Sequence, residues 1–280
     1  MRSSTEMYEL ILHIAQNNDH VKVVCENGSR VNKKVVPDRY QDYDIAFIVD
    51  DYSLVIDDLT WIEQFGNRII TQLPEAEELF KPQFDYKFPI LMLFDDYNRI
   101  DLTIVDINNI KDYLQEDSLT EILLNKDNII LEIEESNDSS HWVKEPTRKM
   151  VEECLTEFYW VSTYVMKGVW REELLYAIDS LNNAREMLLL ILSWREGYNN
   201  KFKINIGKSY KYLPDYLSNR DYAMLSNTYP VLNANDIKRK QYSMIRFFDE
   251  IYVDFCQKLN YKYQKNPYKE VKEYIEYETK

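Results

Sequence analysis

The stretch Asp42-Tyr43-Asp44-Ile45-Ala46-Phe47-Ile48-Val49 reads as a β-strand with two unlike faces. Side chains at i and i+2 share a face of a strand. Tyr43, Ile45, Phe47 and Val49 therefore point together into a core, and Asp42 and Asp44 point together the other way. Two carboxylates held about 7 Å apart at Cα repel each other unless a cation stands between them. Mg²⁺ takes oxygen ligands, usually a couple of carboxylates with phosphate oxygens and water.

Working outward, Val21-Lys22-Val23-Val24-Cys25 reads as an earlier strand, followed by the turn Asn27-Gly28-Ser29-Arg30 and a polar loop over 30–41. Phe88 to Phe94 and Arg99 to Ile107 flank Asp95-Asp96-Tyr97-Asn98, the pattern of a hairpin. In the second of these strands Ile100, Leu102 and Ile104 face one side, and Asp101 and Thr103 the other. A charge inside an apolar strand is costly to desolvate unless it is paired or metal-bound. Glycine permits an unusual turn and a close backbone approach, and backbone N–H groups with a Ser hydroxyl suit phosphate oxygens. Each piece alone has a bland reading: Asn-Gly is a common hairpin turn, and Asp-x-Asp is often a solvated strand edge. The ordered set carries the weight: strand, Gly28-Ser29, loop, Asp42-x-Asp44 opening a strand, then Asp101 within a third strand.

Helices complete the first half. Met7, Leu10, Ile11 and Ile14 share a face over 6–16, with Ser3 and Glu6 at capping-box spacing. Residues 57–72 read as a helix with Leu59, Ile62, Phe65 and Ile69 in register, and 109–116 and 118–125 as short helices. The polar run over 132–140 marks a boundary, so the expected domains are 1–138 and 139–280. Beyond it the pattern is helical: a helix through Met150, Cys154, Phe158, Val161 and Val165 stopped by Gly168, one over 171–196 ended by Gly197, and one over 236–259. The Tyr/Lys/Glu-rich tail from Tyr261 is expected to fray. The fold class is α+β, a mixed-sheet domain followed by a helical bundle.

Composition narrows the function. The chain has 280 residues and a net charge of −14. Residues 1–140 carry 29 acidic and 12 basic side chains, and the remainder 19 and 22. Nucleic-acid binders carry basic surfaces, so no nucleic-acid partner is expected; an acidic half suits metal ions or a small polycation, or simply solubility. Cys25, Cys154 and Cys256 are too far apart in sequence for a zinc knuckle and odd in number for a disulfide framework. No run is long and apolar enough for a secretory signal or a membrane span, which points to the cytoplasm. Monomer and homodimer fit the sequence equally.

On these residues the chain resembles the nucleotidyltransferase superfamily of DNA polymerase β type, with its Gly-Ser, spacer, Asp-x-Asp and later carboxylate. Longer stretches make it similar to the streptomycin (aminoglycoside 6-) adenylyltransferase family. These are Glu26-Asn27-Gly28-Ser29-Arg30, Phe94 to Ile107, Trp170 to Trp194 with Leu174-Leu175-Tyr176-Ala177-Ile178-Asp179, and Gly207-Lys208-Ser209-Tyr210-Lys211-Tyr212. The resemblance implies a nucleotidyltransferase domain followed by a helical domain that covers substrate and nucleotide. It implies transfer of AMP from ATP to a hydroxyl of a cationic aminoglycoside, streptomycin, with release of pyrophosphate and hence antibiotic resistance. Asp42 and Asp44 would hold Mg²⁺, and Asp101 would be the general base or a ligand of a second metal ion. Gly28 and Ser29 would meet the triphosphate. Arg30 would touch phosphate or cap the loop. Arg195 and Lys208 match an Arg and a Lys thirteen residues later that reach the nucleotide in related enzymes, with Tyr212 beside them. Asp179 would bind a drug cation or be a surface carboxylate; Trp142 and Trp170 would stack on the drug or pack in the core. Other acceptors, and a non-catalytic nucleotide-sensing module of the same fold, are the rival readings.

Overall fold

A computed structural model describes residues 1–79, 82–262 and 268–277. The chain divides into two compact units, Met1–Ser140 and His141–Lys280. In the first, helix α1 (Ser4–Asn17) begins at the Ser3 cap, whose hydroxyl accepts the Glu6 N–H while the Glu6 side chain accepts the Ser3 N–H. Its Met7, Ile11 and Ile14 are buried against the sheet. The strands are β1 (Val21–Asn27), β2 (Tyr43–Val49), β3 (Arg68–Gln72), β4 (Lys87–Phe94), β5 (Arg99–Asp106) and β6 (Thr120–Asn125). They form a six-stranded mixed sheet in the order β3-β4-β5-β2-β1-β6. Only β2 and β5 run parallel. The hairpin β4–β5 forms as the sequence indicates, with Tyr97 at φ +64 in its turn.

Alternation builds two cores. Tyr43, Ile45, Phe47, Ile100, Leu102 and Ile104 join α1 on one face. Ala46, Ile48, Val105 and Cys25 lie on the other, beneath Tyr113 of helix α3 (Ile110–Glu116). Burial of each such aliphatic side chain contributes about 1.5–3 kcal/mol.

Two local expectations are corrected. The helix read over 57–72 is broken into α2 (Tyr52–Asp57), a 3-10 segment Leu59–Phe65, and strand β3. Asp58 caps the Thr60 N–H and restarts the chain, and Gly66 at φ +109 turns it out of the helix. Ile62 and Phe65 are buried, but Ile69 stands 54% exposed on the edge strand. Residues 118–125, read as helical, contain β6. Pairing with β1 satisfies backbone groups that β1 would otherwise leave open, and Asn27 Nδ2 donates to Thr120 Oγ1 at 2.7 Å.

The second unit is helical: α4 (Arg148–Trp170), α5 (Leu174–Asn199), α6 (Asn219–Ser226), α7 (Ala234–Lys258) and α8 (Lys269–Glu276). Its core includes Phe158, Leu188, Leu192, Phe247 and Phe248, with the Phe158 and Phe248 rings stacked at 3.7 Å. Neither glycine read as a helix stop ends a helix. Gly168 lies inside α4, where a Cβ would come within 2.9 Å of the Ala177 Cβ. Gly197 lies inside α5, where a Cβ would meet the Phe202 ring at 2.8 Å. Both glycines allow close approach of a neighbouring element rather than a chain reversal. Of the tail expected to fray, α8 is formed, and residues 263–267 and 278–280 lie outside the described residues. Among the described residues no helix is long and apolar enough to cross a membrane.

Candidate active site

The register of three adjacent strands assembles the site. Asn27, the last residue of β1, is the Cα partner of Asp44, and Asp44 is the Cα partner of Asp101 across the parallel pair. One row of the sheet therefore carries Asn27, Asp44 and Asp101 side by side. All three line a cavity of about 280 Å³, which Thr103, Lys87 and Glu116 also line. Gly28 follows at φ +76, and its N–H donates to the Leu119 carbonyl at 3.2 Å. A Cβ built on Gly28 would overlap Oδ2 of Asp44. The turn thus needs glycine twice over, for its left-handed backbone and for the carboxylate packed against it.

Asp42 precedes β2 by one residue. Its backbone is held by Arg30, whose Nε and Nη2 donate to the carbonyls of Asp42 and Gln41 at 2.9 Å each. The Arg30 guanidinium lies 3.6 Å from the Tyr43 ring centroid. Of the two roles weighed for Arg30, the observed contacts are those of the loop cap. Gln41 Nε2 donates to the Ser29 carbonyl at 3.2 Å, which closes the Gly28-Ser29 turn onto the start of β2.

Arg99 opens β5 on the same face as Asp101. Its Nε and Nη2 donate to Asp101 Oδ1 and Oδ2 at 2.7 Å each, and its Nη1 lies 3.6 Å from Asp42 Oδ2. The Asp101 hydrogen bonds raise the Arg99 pKa above its ordinary value. At the other side of the cavity Glu116 accepts from Lys87 Nζ and Tyr86 Oη. Burial works to raise the Glu116 carboxyl, but these two bonds outweigh it and hold the group below its ordinary range.

The donors are hard carboxylate oxygens, the set Mg²⁺ prefers. They are not drawn into a closed ligand shell: among the described residues no three His, Cys, Asp or Glu side chains stand together as a metal-holding group. At Asp101 the Arg99 guanidinium is paired with both carboxylate oxygens. A stand-in cation across two of the three carboxylates, and a glycine cradle around the third, fit a site made for a hard cation. Asp42 and Asp44 are the residues that would hold it.

A family model described as Streptomycin adenylyltransferase matches residues 1–277. The chain belongs to that family. It is 37% identical over 265 residues to the aminoglycoside 6-adenylyltransferase of Bacillus subtilis (strain 168), covering 94% of this chain and 93% of that protein. It is 35% identical over 269 residues to the aminoglycoside 6-adenylyltransferase of Staphylococcus aureus, covering 94% of each. A crystal structure of an aminoglycoside 6-adenyltransferase from Bacillus subtilis aligns with all of this chain and 97% of that one, at 32% identity and a TM-score of 0.44.

In this chain the row that carries Asp44 and Asp101 belongs wholly to the first unit. The other candidate residues lie in the second. Arg195 is buried near the end of α5, where Nε donates to Glu196 Oε1 and Nη2 to Asp221 Oδ2, both at 2.7 Å. Arg220 joins the same network through Asp221 Oδ1 at 3.5 Å and also pairs with Glu250. Lys208 is exposed just after Gly207, whose φ of +70 folds the segment so that Tyr212 N–H reaches the Ile206 carbonyl at 2.9 Å. Asp179 is exposed on α5. Trp142 bridges to Asn205, with Lys203 Nζ 6.0 Å from its ring. Trp170 packs against the helical core and edge-on to Tyr274, the packing role weighed for it from sequence. The three cysteines are buried free thiols, and burial pushes Cys25 and Cys154 up to about 12, far from a reactive thiolate.

Arg99, Lys87 and Glu116 were missed from sequence. Arg99 had a signal: it stands two residues before Asp101, so the alternation that aims Asp101 aims it as well. Lys87 and Glu116 had none, because they meet only when α3 docks on the sheet.

Proposed function

We propose that this chain transfers AMP from Mg²⁺-ATP to a hydroxyl of an aminoglycoside, streptomycin, releasing pyrophosphate. The observation that carries the reading is the row Asn27, Asp44, Asp101 across three strands, with Gly28 packed on Asp44. Family membership supports the acceptor class. Mg²⁺, when bound, neutralises the phosphates and polarises the α-phosphoryl group. Asp42, one residue before β2, and Asp44, on it, would hold the ion there. With the Gly28 N–H bonded to the Leu119 carbonyl, the Ser29 N–H and hydroxyl are the groups of this turn that would meet the triphosphate. Asp101 accepts the proton of the acceptor hydroxyl as its oxygen forms a bond to the α-phosphorus. The bond from that phosphorus to the bridging oxygen breaks, and pyrophosphate departs with the electron pair.

The acidity of the cavity matches the acceptor. Asp44, Asp101, Glu116 and Asp117 line it, and guanidinium groups such as those of streptomycin bind carboxylates through paired hydrogen bonds. The reaction belongs in the cytoplasm, where ATP is available, and the modified drug would no longer act, which is resistance.

Purified protein, labelled ATP and Mg²⁺ test the reading. Pyrophosphate release that requires streptomycin is expected. Release with another aminocyclitol, a protein or an RNA end instead would move the acceptor. Nucleotide binding without turnover on any acceptor would leave a sensing module. Asp44→Ala should weaken Mg²⁺-dependent ATP binding by about tenfold or more, the scale of losing one charged ligand. Unchanged binding in a titration calorimeter would remove Asp44 from the metal.

A further inference from the structure

We propose that Arg99 is a positioning residue, the built-in counter-ion of the carboxylate row, which holds Asp101 and Asp42 together and releases Asp101 when metal-bound nucleotide arrives. This rests on the nucleotidyl-transfer reading of the site. Its guanidinium forks onto both oxygens of Asp101 at 2.7 Å and reaches Asp42 Oδ2 at 3.6 Å. Of the three carboxylates assigned to the reaction, one guanidinium therefore engages two. A divalent cation held by Asp42 and Asp44 competes with Arg99 at Asp42 and repels the guanidinium that is forked onto Asp101.

The contrast with Arg30 shows which arginine is free to move. Arg30 donates to two main-chain carbonyls and lies flat on Tyr43; the ring and the backbone hold it whatever binds. Arg99 has a side chain 43% exposed at the first residue of a strand, and its guanidinium forks onto a carboxylate rather than onto main-chain carbonyls. Those contacts lose their attraction when a divalent cation takes their charge. A triphosphate then offers the guanidinium oxygens of the same fork geometry. Arg99 changes partners, and Asp101 is freed only when nucleotide is in place. Before that, the carboxylates are spared mutual repulsion. The same exchange keeps Asp101 from acting on a stray hydroxyl while no adenylyl donor is bound.

Mn²⁺ binding to the nucleotide-free protein, read by electron paramagnetic resonance, tests this without turnover. Arg99→Gln removes the competitor and should bind Mn²⁺ about five- to tenfold more tightly than wild type. Arg99→Lys keeps the charge but loses the fork, so its affinity should fall between the two, and it serves if the glutamine variant does not fold. Activity should move the opposite way in Arg99→Gln, with a lower kcat and a higher KM for ATP. A merely structural Arg99 would leave Mn²⁺ affinity unchanged or weaken it on substitution, and either result overturns the proposal. Wild-type pyrophosphate release with streptomycin is run alongside. Absence of release with streptomycin and with every other acceptor would sink the nucleotidyl-transfer reading, whereas the Mn²⁺ ratio judges the counter-ion role by itself.

Discussion

Asp101→Asn should lower AMP transfer by about 10²–10⁴-fold, the usual worth of a positioned general base, while ATP binding stays near wild type. Asn keeps the size and the position on β5 but cannot accept the hydroxyl proton. The neighbouring ladder is undisturbed, because Ile100 and Leu102 remain buried on the opposite face. Arg99 would lose its forked partner and lean on Asp42 alone, which leaves the triphosphate side of the site with its Asp42 and Asp44 oxygens. The two measurements are pyrophosphate release and calorimetric ATP binding in the presence of Mg²⁺. Retained turnover would take the base role away from Asp101. Loss of ATP binding in step with turnover would instead make Asp101 chiefly a metal ligand.

Gly28→Ala should be the more damaging of the turn substitutions. The added methyl overlaps Oδ2 of Asp44, and the backbone stands at φ +76, where an L side chain costs about 1–2 kcal/mol. The carboxylate must move, and a displacement of about 1 Å at a reacting centre can cost on the order of 10²-fold in rate. Turnover should therefore fall by about that factor, with weaker Mg²⁺-dependent ATP binding. Gly66→Ala is the matched control. Gly66 also has a positive φ, at +109, but its added methyl would meet only Arg2 Nη1 at 3.7 Å. It should lose stability in a thermal melt and keep its turnover. Equal turnover for wild type and Gly28→Ala would mean that Asp44 does not need its place beside the turn.

The parts of this site that sequence reveals are those set by local periodicity. Period-two alternation sets Asp44 apart from Tyr43 and Ile45, and Asp101 apart from Ile100 and Leu102, without knowing which strands pair. Both carboxylates line the cavity; Asp42 precedes the strand and is not among its lining residues. That β2 and β5 run side by side and parallel, with Asp44 opposite Asp101, is a fact of topology. The fold was readable for the same reason wherever a pattern was strong, as in α1 with its Ser3–Glu6 cap and in α7. It was misread where tertiary pairing outweighs local preference. Thr120–Asn125 is a strand because β1 has an edge to fill, and Ile69 sits on β3 because Gly66 turns the chain. Gly168 and Gly197 look like stops in one dimension and are packing contacts in three. Lys87 and Glu116 come from a strand and a helix whose meeting no local pattern encodes.

The most direct measurement is a crystal structure of the protein with Mn²⁺ and a non-hydrolysable ATP analogue, read from the anomalous signal of the metal. A Mn²⁺ peak held by Asp42 and Asp44, with the α-phosphate facing Asp101, is the expected result. A nucleotide bound away from β2 and β5, or a metal held without either Asp42 or Asp44, would contradict it.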